Sequence, residues 1–228
     1  MKLTKKQQTW KNLDTEKVYT LAEGIEALRE YASKKFDETL EIAVRLGIDV
    51  TKADQNIRGM LSLPNGTGKS VRVAVFTANA QDEAKKAGAD VVGGEELIDA
   101  VAAGNINFDR VIATPDMMPK MSKIARVLGP KGLMPNPKLG TVTNNVADAV
   151  ATAKAGQIEY RAEKKGIIHA GIGKMSFATE KLVENANALI DQLKKVKPSS
   201  TKGQYILGVS IATTQGPGIK VDVESFEN

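Results

Sequence analysis

The chain has 228 residues, of which 42% are hydrophobic and 26% charged, so its composition is that of a folded protein with one large domain or two small ones. Its 32 lysines and arginines exceed its 27 acidic residues, and the net charge of +5 favours a polyanionic partner. The absence of cysteine excludes disulfides and thiolate metal sites and fits a cytoplasm-like compartment, and the single histidine disfavours catalytic triads and zinc sites.

Four lysines and no acidic residue mark the first dozen positions, which we interpret as a short basic arm or helix. These lysines are Lys2, Lys5, Lys6 and Lys11. A secretion signal needs an apolar stretch of about 7 to 15 residues, and a membrane-spanning helix needs about 18; the sequence has neither kind of run. We therefore expect a cytoplasmic protein that is neither exported by a cleavable signal nor embedded in a membrane.

Residues 20–46 predict a helix followed by a strand. Thr20 and Glu23 have capping-box spacing, in which each side chain satisfies a backbone N–H at the helix start, and they open a periodic apolar stretch that predicts a helix over 20–33. Apolar and polar residues then alternate over 40–46, which is typical of a strand with one buried face. We expect that strand to lie in an antiparallel sheet, because such sheets commonly keep one face in water.

The middle of the chain has the pattern of repeated βαβ units. Short strand-like runs at 71–76, 90–92 and 110–113 are separated by helix-like segments near 80–88 and 94–103. Crossover helices cover both faces of the parallel sheet that such units form. We therefore predict a Rossmann-like, three-layer α/β/α domain here.

After residue 116 the sequence is loop-rich, and a helix is then predicted over 146–155, with Gly156 at its carboxyl end. Beyond Gly156 the pattern predicts strand, helix and two further strands. Their ranges are 158–170, 179–194, 204–213 and 218–223. This final part has the same α+β character as the start of the chain.

Because both ends read as an antiparallel α+β layer and the centre as parallel α/β, we predict an α/β protein of two domains with the central one inserted into the outer one. The outer domain would comprise residues 1–67 and 159–228, and the inserted Rossmann-like domain residues 68–158. The two connectors, near 64–70 and 156–161, would permit a hinge between the domains.

Nucleotide-binding motifs are incomplete in this sequence. Gly68-Lys69-Ser70 copies the end of a phosphate-binding P-loop, but the first glycine of that motif falls at Leu63, and the segment precedes a strand instead of opening a helix. The residues after 71–76 also lack the glycines of a dinucleotide fingerprint. A Rossmann-like fold therefore implies no cofactor here, and an enzyme such as a nucleotide-dependent transferase is the competing class.

The charged residues of segment 117–147 are all basic, since the segment contains no acidic residue. Its cations are Lys120, Lys123, Arg126, Lys131 and Lys138. Interspersed prolines and glycines indicate an extended loop, on which basic side chains can reach the phosphates of a polyanion. The alternative is a solvated basic loop that proline stiffens.

Two short segments combine residue types that RNA-binding proteins use. Lys35 and Phe36 place a cation beside an aromatic ring that could stack on a base, although a lone phenylalanine is more often part of the core. Residues 213–218 offer threonine hydroxyls and glycines that allow close backbone approach to a ribose or phosphate, although alone they read as a hairpin turn. His169 reads as a structural histidine, because no nucleophile accompanies it.

Taken together, the motifs resemble the large-subunit ribosomal protein L-one family over nearly the whole chain. The landmarks are Lys35-Phe36-Asp37-Glu38-Thr39, Leu46-Gly47-Ile48-Asp49, Asp54-Gln55-Asn56-Ile57-Arg58-Gly59, Gly88-Ala89-Asp90, Val92-Gly93-Gly94-Glu95-Glu96 and Ala113-Thr114-Pro115-Asp116. The run Leu128-Gly129-Pro130-Lys131-Gly132-Leu133-Met134-Pro135-Asn136-Pro137-Lys138 is similar to the family signature, and Thr213-Thr214-Gln215-Gly216-Pro217-Gly218 to its T-T-M-G-P turn.

The resemblance implies a two-domain, hinge-connected protein whose outer domain binds structured ribosomal RNA of the large subunit. Carried over by position, one contiguous RNA-binding surface would contain Lys35, Phe36, Thr39, Thr213, Thr214, Gly216 and Pro217, with Lys165 and His169 as additions. The cations of 117–147 would contact tRNA or a second RNA element.

The resemblance further implies a structural protein of the mobile stalk near the exit site of the ribosome. It would be no enzyme and would need no cofactor or metal. Its partners would be large-subunit ribosomal RNA, the exit-site tRNA that it helps to release, and the leader of its own mRNA, whose translation it would repress. We expect the free protein to be monomeric. A DNA-binding regulator is a third class, but no helix-turn-helix is recognisable.

Two positions depart from the family pattern. Gln215 stands where the family usually has methionine, and we expect a modest effect on RNA affinity. Gly208 stands where many relatives have serine, so any hydroxyl contact from that position is lost.

Overall fold

The chain folds into both strands and helices in the computed structural model, which describes residues 8–10 and 13–226. The strands are β1 (Val18–Tyr19), β2 (Thr39–Leu46), β3 (Arg58–Ser62), β4 (Val73–Phe76), β5 (Val91–Gly93), β6 (Arg110–Ala113), β7 (Gln157–Arg161), β8 (Ile167–Lys174), β9 (Ile206–Thr213) and β10 (Gly218–Val221). The helices are α1 (Leu21–Tyr31), α2 (Gln81–Lys86), α3 (Glu95–Ala102), α4 (Met118–Met121), α5 (Ala125–Leu128), α6 (Val146–Lys154) and α7 (Thr179–Lys195). The predicted mixed α/β class is confirmed. The predicted basic arm, with Lys2, Lys5, Lys6 and Lys11, lies outside the described residues.

Contacts along the chain group it into two units. The first unit contains the chain through Gly68 and again from Ile158, and the second unit is Lys69–Gln157. Residues from both chain ends therefore pack together in the first unit.

A five-stranded sheet of order β1-β10-β9-β2-β8 forms the centre of the first unit. Strand β2 pairs antiparallel with β8 on one side and with β9 on the other, which confirms its predicted placement. Strand β10 pairs antiparallel with β9, and the short β1 pairs parallel with β10. Because β2 comes from the amino-terminal part and β8 to β10 from the carboxyl-terminal part, the sheet joins the two ends of the chain.

The period-2 alternation of β2 decides which face of this sheet is buried. Leu40, Ile42, Val44 and Leu46 are each at most 2% exposed and join one hydrophobic core with the apolar stripe of α7. That stripe consists of Leu182, Ala186, Leu189, Ile190 and Leu193. The intervening residues of β2, such as Glu41 and Arg45, point to solvent. Within the described residues, the helices of this unit therefore pack on one face of the sheet.

Helix α1 begins as its capping box predicts. The Thr20 hydroxyl accepts the N–H of Glu23 at 3.4 Å, and the Glu23 carboxylate accepts the N–H of Thr20 at 3.2 Å. Hydrogen bonds from the backbone and then from the side chain of Thr20 to the carboxylate lower the pKa of Glu23, because they favour its ionised form. The helix ends at Tyr31, two residues before the predicted limit.

The stretch predicted as strand-like over 158–170 forms two strands, β7 and β8, because Gly166 turns the chain at φ +73° between them. Strand β7 pairs with β3 in a separate two-stranded sheet. An ion pair of 2.8 Å between Arg58 and Glu159 links these strands. The segment predicted as the second connector, 156–161, is therefore mostly regular strand.

The second unit contains a three-stranded parallel sheet of order β5-β4-β6, which confirms the predicted parallel pairing. Alternate residues of β4 face opposite sides. Val73 and Val75 pack in a core with α2 and α6, and Ala74 and Phe76 pack in another core with α3 and the helical residues after β6. Helices thus cover both faces, as expected for crossover connections.

The prediction of an extended loop after residue 116 was wrong in its first part. Residues 118–121 and 125–128 form the short helices α4 and α5. Met117, Met121, Ile124 and Leu128 recur at helical spacing and are at most 1% exposed, so burial of this stripe stabilises the helical turns. Helix α6 ends one residue before its predicted limit, and Gly156 follows at φ +91°.

No helix among the described residues is long and apolar enough to cross a bilayer. Within those same residues, no cluster of three or more histidine, aspartate or glutamate side chains could hold a metal ion.

Candidate nucleic-acid interface

Two segments that are far apart in the sequence lie side by side at one end of the five-stranded sheet. The first, residues 33–39, leads into β2, and the second, residues 213–217, follows the end of β9. Because these strands are antiparallel neighbours with Leu40 opposite Thr213, the start of one meets the end of the other. We call the surface formed by residues 33–39 and 213–217 the two-segment surface.

Thr39 and Thr214 join the two segments by hydrogen bonds in both directions. The N–H of Thr39 donates to Oγ1 of Thr214 at 2.9 Å, and the N–H of Thr214 donates to the carbonyl of Thr39 at 3.1 Å. The side chain of Thr214 therefore continues the ladder after β9 has ended. Both residues are among those that the family resemblance assigns to RNA binding.

Glu38 lies under the two-segment surface and is only 1% exposed. Its Oε1 accepts the N–H of Ser33 at 2.9 Å, and its Oε2 accepts the N–H of Gln215 at 3.3 Å. Its carbonyl accepts the N–H of Met175 at 2.9 Å. One buried carboxylate thus ties both segments together, which fixes their backbones before any ligand arrives.

Glu38 is not among the residues predicted to form the site, although the sequence contains a signal for it. The buried positions of β2 are even-numbered from Leu40 onward, and the next even-numbered position before them is Glu38, directly before the strand. The alternation therefore predicts that Glu38 points inward and Asp37 outward.

Strand β8 holds the first segment from the other side. The carboxylate of Asp37 accepts the N–H of Ser176 at 3.1 Å and its hydroxyl at 2.7 Å. Lys174 donates to the carbonyl of Asp37 at 3.0 Å and to Oγ1 of Thr39 at 3.2 Å. Lys174 was also missed by sequence reasoning, because nothing in its local pattern marks it.

The exposed groups of the first segment are a ring and a cation. Phe36 is 43% exposed and is one of the large apolar side chains that the described structure leaves in solvent. Lys35 beside it is exposed as well. Phe36 therefore does not belong to the core, which was the alternative, and its ring is available for stacking.

The second segment divides into outward and inward residues. Thr214 and Gln215 are exposed, whereas Thr213 and Pro217 are buried. The Oγ1 atom of Thr213 is buried without a hydrogen-bond partner among the described residues, and it lies directly under Gly216, where a Cβ atom would overlap it. In this conformation Thr213 and Pro217 shape the turn, and Thr214, Gln215 and the backbone of Gly216 face outward.

Lys165 and His169 lie on the same sheet but away from the two-segment surface. His169 is exposed on β8 opposite Ala43, which is four residues along β2 from Thr39, or roughly 13 Å at the usual rise of a strand. Its Nε2 is 3.7 Å from a carboxylate oxygen of Glu163. Lys165 is exposed in the turn that precedes β8. The structure therefore does not bring these two residues into the cluster.

All five cations predicted in 117–147 are exposed, and all belong to the second unit. Lys120 pairs with Glu95, and that hydrogen bond lowers the pKa of the glutamate. The side chain of Lys123 lines the same shallow crevice as Glu95 and Asp99. Acidic residues of α3 thus balance part of the positive charge of segment 117–147 in the folded protein.

A family model described as the Ribosomal protein L1p/L10e family matches residues 28–217 of the chain. The match includes both segments of the two-segment surface and the whole of the second unit.

Proposed function

The chain belongs to the Ribosomal protein L1p/L10e family, and from this membership we propose that it binds large-subunit ribosomal RNA through the two-segment surface. The observation that carries the choice of surface is the pairing of Thr39 with Thr214, which joins the two segments that the family resemblance singles out. A structural RNA-binding role also fits the net charge of +5.

The chemistry of the surface suits a reader of RNA shape. Thr214 and the backbone of Gly216 offer small polar groups that allow close approach, and the exposed ring of Phe36 offers a stacking platform beside Lys35. Groups of this kind contact phosphate, the 2′-hydroxyl and an unstacked base in a preformed RNA fold. No bond is made or broken, so we propose no enzymatic activity.

On the ribosome, we propose that the protein forms the mobile stalk near the exit site and assists the release of deacylated tRNA. We further propose that it represses translation of its own mRNA when the leader of that message mimics the ribosomal site. The protein would then be cytoplasmic and ribosome-associated, and monomeric when free.

We also propose that the two contact-defined units act as separate domains, with boundaries near residues 68 and 158. The exposed cations of the second unit, Lys123, Arg126, Lys131 and Lys138, would supply a contact to tRNA or to a second RNA element. This contact ranks below the two-segment surface, because acids of α3 offset part of its charge.

The test is a binding titration with a stalk-region ribosomal RNA fragment, run beside the same sequence as DNA. We expect tight binding to RNA only, because recognition of the 2′-hydroxyl and of RNA shape is lost in DNA. Thr214→Val should weaken the RNA complex, and Lys181→Gln, on the exposed face of α7, is the matched control that should not. Equal binding to RNA and DNA, unchanged in Thr214→Val, would overturn the proposal.

A further inference from the structure

Lys174 occupies a fixed position at the edge of the two-segment surface. It is the last residue of β8 and lies opposite Thr39 in the register of β2 and β8. Its ammonium group donates to the carbonyl of Asp37 at 3.0 Å and to Oγ1 of Thr39 at 3.2 Å. An ammonium group has three N–H donors, so one remains beyond these two hydrogen bonds.

The charge of Lys174 is not cancelled by a neighbouring acid. Among the described residues, no carboxylate oxygen lies within the ion-pair distance of its Nζ atom. The nearby carboxylate of Asp37 is instead occupied by the N–H and hydroxyl of Ser176. Lys174 thus donates to two neutral oxygens, and it forms no ion pair within the described part of the chain.

The hydrogen-bond polarity of Thr39 follows from its partner. Because an ammonium group can only donate, Oγ1 of Thr39 must accept from Lys174, and its own O–H remains available to donate. Thr214 differs, since its Oγ1 accepts the N–H of Thr39 at 2.9 Å and donates to the carbonyl of Thr39 at 3.4 Å. The remaining N–H of Lys174 and the hydroxyl of Thr39 therefore offer two neighbouring donors, which suit a ligand with acceptor atoms.

The stem of Lys174 is confined by packing. Gly68, at φ +72°, lies so close that a Cβ there would come within 2.9 Å of Cγ of Lys174 and 3.0 Å of the ring of Phe177. A lysine that is already held in one rotamer loses less conformational entropy when it binds a ligand. The ammonium group is therefore preorganised for an anionic partner.

We infer that Lys174 and the hydroxyl of Thr39 together bind one phosphate group of the RNA backbone. Lys174 supplies the charge and its remaining N–H, and Thr39 supplies the O–H that Lys174 has oriented. This inference rests on the proposed function, since it places a contact within the same RNA site.

The experiment measures RNA affinity as a function of salt for the wild type, Lys174→Met, Lys174→Arg and the control Lys181→Gln. Each neutralised phosphate contributes about 0.7 to 0.9 to the slope of log K against log salt. We expect Lys174→Met to lose roughly tenfold in affinity near 0.1 M salt and to reduce the slope by about that amount. Lys174→Arg should keep the slope of the wild type, as should Lys181→Gln.

A loss of affinity in Lys174→Met with an unchanged slope would show that Lys174 only holds the loop, and the inference would be wrong. Unchanged affinity would overturn it as well. If the wild type itself does not prefer the RNA fragment over DNA, the proposed function fails, and this result is distinct from either outcome for Lys174.

A second measurement changes the RNA instead of adding further protein variants. Single methylphosphonate substitutions along the RNA each remove one backbone charge. We expect one position at which the neutral linkage weakens the wild-type complex but has no further effect on Lys174→Met. The absence of any such position would contradict a specific phosphate contact.

Discussion

Thr39 and Thr214, 175 positions apart in the chain, hydrogen-bond to each other through the backbone of one and the side chain of the other. Replacing Thr214 by valine keeps its shape but removes the acceptor for the N–H of Thr39. We expect Thr214→Val to lower the free energy of unfolding by about 1 kcal/mol and RNA affinity by about tenfold. Thr214→Ser keeps the acceptor and should retain most of both, as measured by urea unfolding and RNA titration. Equal losses in the serine and valine variants would show that the hydroxyl is not the important group.

Gly216 covers the buried hydroxyl of Thr213, so a methyl group at position 216 has no room. We expect Gly216→Ala to cost about 1 to 3 kcal/mol of unfolding free energy, because the turn must move away from Thr213. Thr213→Ala removes the atom that the new methyl group would overlap, and the double variant should recover at least half of the loss in stability. A double variant no more stable than Gly216→Ala alone would contradict this explanation.

Glu38 accepts hydrogen bonds from both segments, and its loss leaves the N–H groups of Ser33 and Gln215 without that partner. We expect Glu38→Ala to destabilise the protein by about 2 to 4 kcal/mol, because a buried charged acceptor contributes to two hydrogen bonds. Glu41→Ala, on the solvent face of the same strand, is the control and should be close to neutral. Thermal unfolding of the two variants distinguishes them, and similar melting temperatures would argue against the role of Glu38.

Asn185 is fully buried on α7 and satisfies three backbone groups. Its amide donates to the carbonyls of Ile172 at 2.7 Å and Gly66 at 3.0 Å, and its oxygen accepts the N–H of Asn65 at 3.0 Å. We expect Asn185→Ala to cost about 2 to 4 kcal/mol in urea unfolding, because these groups lose their partner. The exposed neighbour Asn187 offers the control, and Asn187→Ala should change stability by less than about 0.5 kcal/mol.

Asp90 accepts the N–H of Val73 at 2.8 Å and lies 3.1 Å from the ammonium group of Lys154. The hydrogen bond from Val73, and then that from Lys154, lower the pKa of Asp90 below 3.8. A carboxyl whose pKa is lower in the folded state stabilises the fold above its unfolded pKa, and this contribution is lost as the pH falls through the folded value. Because both side chains are partly exposed, solvent screening keeps the effect small.

Asp90→Asn should therefore be less stable than the wild type at pH 7, and the difference should shrink as the pH falls below about 4. Asp99→Asn, on the exposed side of α3, serves as the control in the same unfolding series. A difference that stays constant from pH 7 to pH 2 would show that ionisation of Asp90 contributes nothing.

The sequence predicted the elements whose stabilisation is local or periodic. The capping box of Thr20 and Glu23 predicts the start of a helix, and the alternation of β2 predicts a strand with one buried face. Both predictions are confirmed. The short helices after residue 116 were missed, because prolines and glycines obscured a buried stripe that includes Met121 and Leu128. In the first unit, strand β7 was partly read as a connector, since its partner β3 lies about a hundred residues earlier.

The candidate site, too, could be predicted only in part from the sequence. Phe36, Thr39 and Thr214 could be named from a family pattern, but their arrangement could not, because it depends on the pairing of β2 with β8 and β9. The strand alternation could have predicted that Glu38 points inward. Lys174 could be identified only from the sheet register, which places it opposite Thr39. Burial also separated Thr213 and Pro217, which point inward, from the residues that can meet RNA.

We propose above that segments from both halves of the chain form one RNA-binding surface. Amide hydrogen exchange of the free protein and of its complex with the ribosomal RNA fragment tests it most directly. We expect new protection in peptides that cover 33–39 and 213–217 together. Protection confined to 117–147, with 33–39 and 213–217 unchanged, would contradict this proposal.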